Sequence, residues 1–184
     1  EANKMNKMVR QLLTLTALEF GNDTPSIAAF DVTELVHDLI NSSGILIQQN
    51  AAKVSVDMPE TLVVMGDEFK IEEVVTNYLT NAMNHLGGDH NIRIWSETLD
   101  GVAKIHVYNN GTPIPEEDLP NLWTKFYKVD KARTRAYGGS GIGLSIVKAI
   151  MEAHHQQYGV ANHEDGVEFW FTLALAPEKP EEEE

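Results

Sequence analysis

The chain of 184 residues has no cysteine, so neither disulfides nor thiolate metal sites hold it together, which fits a reducing compartment. Positive charge is scarce. Against 28 Asp and Glu stand 14 Lys and Arg, for a formal net charge of −14. A nucleic-acid partner needs a basic surface to meet its phosphates, so that class of ligand is excluded. No apolar run approaches membrane-spanning length, and the first residues are polar and charged rather than signal-like. Internal repeats are absent. The length suits one domain of ordinary size plus an appendage, and the start at Glu1 without a methionine leads us to expect a fragment of something longer.

What is present separates into helical and extended runs. Residues 1–20 read as a helix with Met5, Met8, Leu12 and Leu15 in a coiled-coil-like seam, flanked by Val9 and Leu13. Such a helix needs a partner, either its own domain or, preferably, a helical-bundle stalk. Gly21 to Pro25 closes it as a hinge. A short strand near Ala29–Val32 precedes a helix capped by Thr33 and running to about Asn50. KVSVDM and TLVVM alternate as half-buried strands do. A helix over IEEVVTNYLTNAMNHL follows, then strands at 91–98 and 102–108 joined at Asp100 and Gly101. A last helix, SIVKAIMEAH, leads to QYGVAN and GVEFWFTLAL, paired around a turn at His163–Gly166. These runs imply an α/β two-layer sandwich, a mixed and largely antiparallel sheet covered on one face by helices, plus an N-terminal stalk helix. The final PEKPEEEE reads as a disordered acidic tail.

Two patterns carry chemistry. Gly138-Gly139-Ser140-Gly141-Ile142-Gly143-Leu144 runs straight into a helix, and such a loop either cradles phosphate with its backbone N–H groups or simply caps the helix. Asn77 and Asn81 lie four apart on one helical face. Asparagine is a mediocre helix former. The pair is either a polar cap over a buried stripe or a presentation of Asn81's carbonyl oxygen to Mg²⁺. Between these patterns Lys125, Lys128, Lys131, Arg133 and Arg135 concentrate the chain's scarce positive charge, as a solvated loop or as phosphate contacts.

Together the motifs resemble bacterial sensor histidine kinases. NYLTNAMNHL resembles their asparagine box, VYNNGTPIPEEDL their first glycine box, FYKVD their phenylalanine motif and GGSGIGLSIVKAI their second glycine box. All four stand in the family's order over about residues 70–155. The resemblance implies an ATP-binding catalytic domain over 22–176, preceded at 1–21 by the end of a dimerisation stalk and followed at 177–184 by the tail. It implies ATP and Mg²⁺ as ligands, a homodimer in the full-length protein and a response-regulator receiver domain as partner. It also implies a cytoplasmic location, with membrane attachment through upstream segments.

By the same resemblance Asn81 holds Mg²⁺, Asn77 positions phosphate or water, and Lys128 meets the terminal phosphate. Gly139, Gly141 and Gly143 form the phosphate cradle, with Ile142 and Leu144 beside them. Asn109, Gly111 and Ile114 shape the adenine end, and Phe126 and Tyr127 anchor a lid over 112–140 hydrophobically. The chain departs from the family in places. Asn109 stands where an acidic residue reads the adenine amino group, Pro113 where a second glycine is common, and Asn84 and His85 where lysine and tyrosine often occur. A freely flipping Asn109 amide would blur the choice between ATP and GTP. Hydrolases and serine kinases of the wider superfamily carry a general-base glutamate four before the metal asparagine; Asn77 cannot serve as one. This favours a kinase acting on histidine over a stand-alone ATPase or serine kinase, with a non-catalytic nucleotide sensor as a further alternative. None of the seven histidines stands in the acceptor pattern H-E-x-R-T-P, so this chain is not expected to phosphorylate itself.

Overall fold

Apolar residues recur at helical spacing in three segments and at every second position in the strands, and the two sets face each other across one core. The computed structural model describes residues 1–19, 21, 23–129 and 141–178. The strands are β1 (Ala28–Asp31), β2 (Lys53–Asp57), β3 (Val63–Gly66), β4 (Asn91–Leu99), β5 (Val102–Asn110), β6 (Tyr158–His163) and β7 (Gly166–Ala174). The helices are α1 (Ala2–Glu19), α2 (Val32–Ser42), α3 (Gly44–Gln49), α4 (Glu68–Asn84) and α5 (Gly143–Ala153). Five strands form a sheet in the order β2-β4-β5-β7-β6, with β2 parallel to β4 and every other pairing antiparallel. This is the expected two-layer α/β architecture, and the N-terminal helix is present.

The sheet's inner face presents Ile92 and Ile94, Ile105 and Val107, and Phe169 and Phe171 to the buried stripes of α2, α4 and α5. Tyr78 of α4 sits in this core with Phe169 and Phe171 5.3 and 6.2 Å away, and donates its hydroxyl to the Trp170 carbonyl at 3.0 Å. Because Tyr78 fixes the rotation of α4, the asparagines on either side of it turn out of the core. The outer face is polar and self-paired. Trp95 stacks on His106 at 4.7 Å, and Glu168 bridges His106 and His163.

A second tie sets α4 against α5. The Asp67 carboxylate caps α4 at Lys70 N (3.3 Å) and accepts from Ser26 N (2.9 Å). Asp67's own N–H donates to Nε2 of His154, whose Nδ1 donates to the Ile150 carbonyl. Burial pushes the His154 imidazole below its ordinary range, and both ring nitrogens are engaged in the neutral form.

Several local expectations are corrected. Asp31, at the end of β1, caps α2 by accepting from Thr33 N and Glu34 N, so Thr33 is already inside the helix. The run to Asn50 breaks at Ser43 into α2 and α3. The strand from TLVVM pairs with β1 in a separate two-stranded sheet, which meets the end of the main sheet through a single bridge between Val64 and Leu175. The seam of α1 also divides. Leu15 and Leu18 are buried, Met8 and Leu12 pack against the core's edge, and Met5, Val9 and Leu13 stay exposed.

Candidate functional site

Where α4 turns its polar side outward it walls a cavity of 780 Å³, within the range of small-molecule sites. Asn77, Asn81, Asn84 and His85 of this helix line it. Across from them are Tyr127, Lys128, Gly141, Gly143 and Leu144. Nine of the residues proposed from sequence thus meet around one space.

The asparagines do different work. Asn77 donates Nδ2 to the Glu73 carbonyl at 2.9 Å, and its Oδ1 lies 2.7 Å from where a Cβ on Gly143 would stand. Gly143 is therefore needed for close approach of α5 to α4. Asn81 is half-buried, and its side chain has no hydrogen-bond partner among the described residues, which leaves its amide oxygen available to a ligand. Glu73, one turn before Asn77, is half-buried in the same wall; burial pushes its carboxyl above the usual range, against the pull of Lys70.

Asn109, Gly111 and Ile114 stand beyond the end of α4 and do not line the cavity wall. Gly111 is tied to that end by sterics: a Cβ there would lie 2.4 Å from the His85 carbonyl oxygen. Asn109 is 2% exposed. Its Nδ2 donates to the Asn110 carbonyl at 3.0 Å and to the His85 carbonyl at 3.4 Å. A flip would place Oδ1 against two carbonyl oxygens, so the free flip expected from sequence is corrected, and Oδ1 is held as an acceptor. Ile114 is gripped by Asn162, which accepts from its N–H at 2.9 Å and donates to its carbonyl at 2.7 Å.

Gly141 has φ +72°, and a Cβ on it would lie 2.9 Å from Phe126 Cα, whose N–H donates to the Gly141 carbonyl at 2.8 Å. Here glycine is required both by conformation and by space. Phe126 is 49% exposed, so its hold on this segment is through the backbone, and the expected hydrophobic anchoring is corrected. Leu122, which is buried, and Trp123, edge-on to Tyr158 and Phe169, supply the apolar anchor instead. Tyr127 anchors through its hydroxyl, which donates to Asp118. Ile142 is wholly buried. Lys125, expected near phosphate, pairs with Glu19 of α1 at 2.6 Å. Gly138, Gly139, Ser140, Lys131, Arg133 and Arg135 lie outside the described residues, as do residues 179–184 of the tail.

Sequence reasoning missed two contributors. Asn110 binds the segment together: its Oδ1 accepts from Asn91 N, its Nδ2 donates to the Tyr108 hydroxyl, and its carbonyl accepts from Gly87 N, each at 3.0 Å. The Asn109-Asn110 repeat was the available signal. The second is α1, whose Lys4, Lys7, Arg10, Gln11 and Thr14 line the same cavity; basic residues recurring every third position marked that face.

Comparison with known proteins agrees with this geometry. Residues 66–177 match the family described as histidine kinase-, DNA gyrase B-, and HSP90-like ATPase. The sensor protein VanSB of Enterococcus faecalis is 31% identical over 171 residues, which are 93% of this chain and 38% of VanSB. The chain thus spans well under half the length of that curated relative. Among solved structures, the catalytic domain of histidine kinase ThkA superposes with a TM-score of 0.73 at 27% identity, over 82% of this chain and 96% of that domain. ThkA in complex with the response regulator TrrA superposes with a TM-score of 0.77 at 26% identity, over 98% of this chain and 50% of that one. The chain belongs to the histidine kinase-, DNA gyrase B- and HSP90-like ATPase family, as a catalytic domain of the sensor histidine kinase type.

Proposed function

We propose that this chain binds ATP with Mg²⁺ in the cavity beside α4 and directs the γ-phosphoryl group to a histidine in two-component signalling. One observation carries the reading. The asparagines of α4 converge with Lys128, Gly141 and Gly143 on a single cavity. Phosphoryl transfer asks a protein mainly for positioning and charge neutralisation, and these groups supply both. The Asn81 amide oxygen is a hard donor of the kind Mg²⁺ accepts, and Mg²⁺ when bound neutralises phosphate charge. Lys128 meets the terminal phosphate, and Gly139, Gly141 and Gly143 let the backbone approach the phosphate chain. Leu144, Asn84 and His85 border it. Asn109 accepts from the adenine amino group through Oδ1, with Gly111 and Ile114 shaping that end.

Asn77 supports a histidine as acceptor. An amide takes no proton at neutral pH, and this one is engaged with Glu73 and packed on Gly143. A neutral imidazole is already nucleophilic and needs no base; water or a serine hydroxyl does. The acceptor histidine lies outside these residues, so the chain alone does not phosphorylate itself. Residues 1–21 end a dimerisation stalk, and 22–176 form the catalytic domain. The exposed stripe Met5, Val9 and Leu13 supports a homodimer. The phosphoryl group passes on to a response-regulator receiver domain, on the cytoplasmic side of a membrane-anchored sensor.

Incubation with radiolabelled ATP and Mg²⁺ tests this in two arms. The chain alone should stay unlabelled, and a longer form carrying the upstream helical segment should gain acid-labile label. Acid-labile label on any of the seven histidines here, or none on the longer form, contradicts the proposal.

A further inference from the structure

We infer that the basic face of α1 completes the phosphate subsite, so that nucleotide and the N-terminal helix bind the domain cooperatively. This rests on the nucleotide reading above and adds residues that lie outside the matched family segment, which begins at residue 66.

A nucleoside triphosphate brings several negative charges to a protein whose net charge is −14. The wall formed by α4 contributes no cation to the cavity; its one ionisable acid or base besides His85 is Glu73. Of the four Lys and Arg residues that line the cavity among the described residues, one is Lys128, and three (Lys4, Lys7 and Arg10) come from α1. Lys125 is engaged elsewhere, in its pair with Glu19. Asn84 stands where histidine kinases often carry a lysine, and three of the four cations that line the same cavity among the described residues come from another helix.

The placement of α1 is specific. Leu15 and Leu18 are buried, and Met8 and Leu12 pack at the core's edge. The Glu19–Lys125 pair, 2.6 Å apart, ties the end of the helix to the segment that leads to Phe126. With that face fixed, the helical repeat turns Asn3, Lys7, Arg10 and Thr14 along the cavity and Met5, Val9 and Leu13 away from it. A triphosphate bound between α4 and α1 would hold the helix to the domain, and by reciprocity a docked helix would tighten the triphosphate.

Calorimetry on the full chain, with Mg²⁺, tests this with AMP, ADP and the non-hydrolysable analogue AMP-PNP. Lys7→Gln with Arg10→Gln should weaken AMP-PNP by about tenfold, as loss of charge-assisted phosphate contacts does, and weaken AMP much less. The wild-type affinity for AMP-PNP should also fall more steeply with salt than that of the double variant. Adding Asn84→Lys to the double variant should restore part of the loss. Equal AMP-PNP affinity in wild type and double variant would overturn the inference. So would equal losses for AMP and AMP-PNP, the mark of a merely structural role. Thermal melts check that these exposed substitutions leave the fold intact; Lys4→Gln, tested alone, should then give a smaller loss of the same phosphate dependence. A wild-type chain that binds none of the three nucleotides would instead remove the underlying reading, and the inference with it.

Discussion

The Oδ1 of Asn77 lies 2.7 Å from the position a Cβ on Gly143 would take, while its Nδ2 is held by the Glu73 carbonyl. The helix bearing the asparagines and the helix after the glycine loop are thus set against each other through one amide and one missing side chain. Gly143→Ala stands at the first position of α5, where it gains less than the roughly 1 kcal/mol of an interior helix site, and it overpacks a fixed contact at about 1–3 kcal/mol. We expect net destabilisation of about 1 kcal/mol, seen as a lower denaturation midpoint. Adding Asn77→Ala should relieve the overpacking, so that the double variant is more stable than the sum of the singles predicts. Additive losses would show that the contact is not tight.

The Asn81 side-chain amide is unengaged among the described residues and lines the cavity together with Lys128 and Gly141. Asn81→Ala should remove the Mg²⁺ dependence of nucleotide binding, and Asn81→Asp should keep metal but weaken phosphate by added negative charge. Titrations with and without Mg²⁺ decide it. An alanine variant with undiminished Mg²⁺ dependence places the metal elsewhere.

The Asn109 amide is oriented by the carbonyls of Asn110 and His85, so it offers a base only an acceptor. Adenine's amino group suits that acceptor and guanine's carbonyl opposes it. A mismatched buried polar contact costs about 1–3 kcal/mol, so ATP should be preferred to GTP by about one to two decades. Asn109→Leu should erase most of the preference. Equal ATP and GTP affinity in the wild type would mean that the amide flips or does not meet the base.

His154 gives the fold a pH dependence with a definite sign. Burial lowers its folded-state pKa, and Nε2 must stay unprotonated to accept from Asp67 N. The stability it contributes is present above the ordinary histidine pKa and lost as pH falls through the lowered folded value. Thermal midpoints should therefore drop between about pH 7 and pH 5. His154→Gln should start lower at neutral pH and fall less over that window. Parallel profiles would assign the acid loss to other groups.

Much of this was legible in the sequence because it is local. The period of α4, the glycine run before α5, and the turn between β6 and β7 each follow from residues near one another. What escaped depended on distant partners. TLVVM reads as a strand, yet nothing in its alternation says that β3 joins β1 rather than the main sheet. Lys125 looks like a phosphate contact until Glu19, 106 positions away, claims it. Thr33 is a good cap by type, but Asp31 occupies the turn before it and also accepts from Leu62 N, 31 positions on. Asn109 stands two positions before Gly111, and the direction of its amide depends on the carbonyls of His85 and Asn110. For α1 periodicity showed that a seam exists and could not show which of its leucines meets the domain.

The proposed function puts ATP together with Mg²⁺ in the cavity between α4 and the segment of Gly141 and Gly143. The most direct measurement is a calorimetric titration of the intact chain with AMP-PNP, with Mg²⁺ present and with Mg²⁺ removed by chelator. Saturable binding at one site per chain, weakened by an order of magnitude or more without the metal, is the expected result. Absence of binding in both conditions, or identical binding in the two, would contradict it.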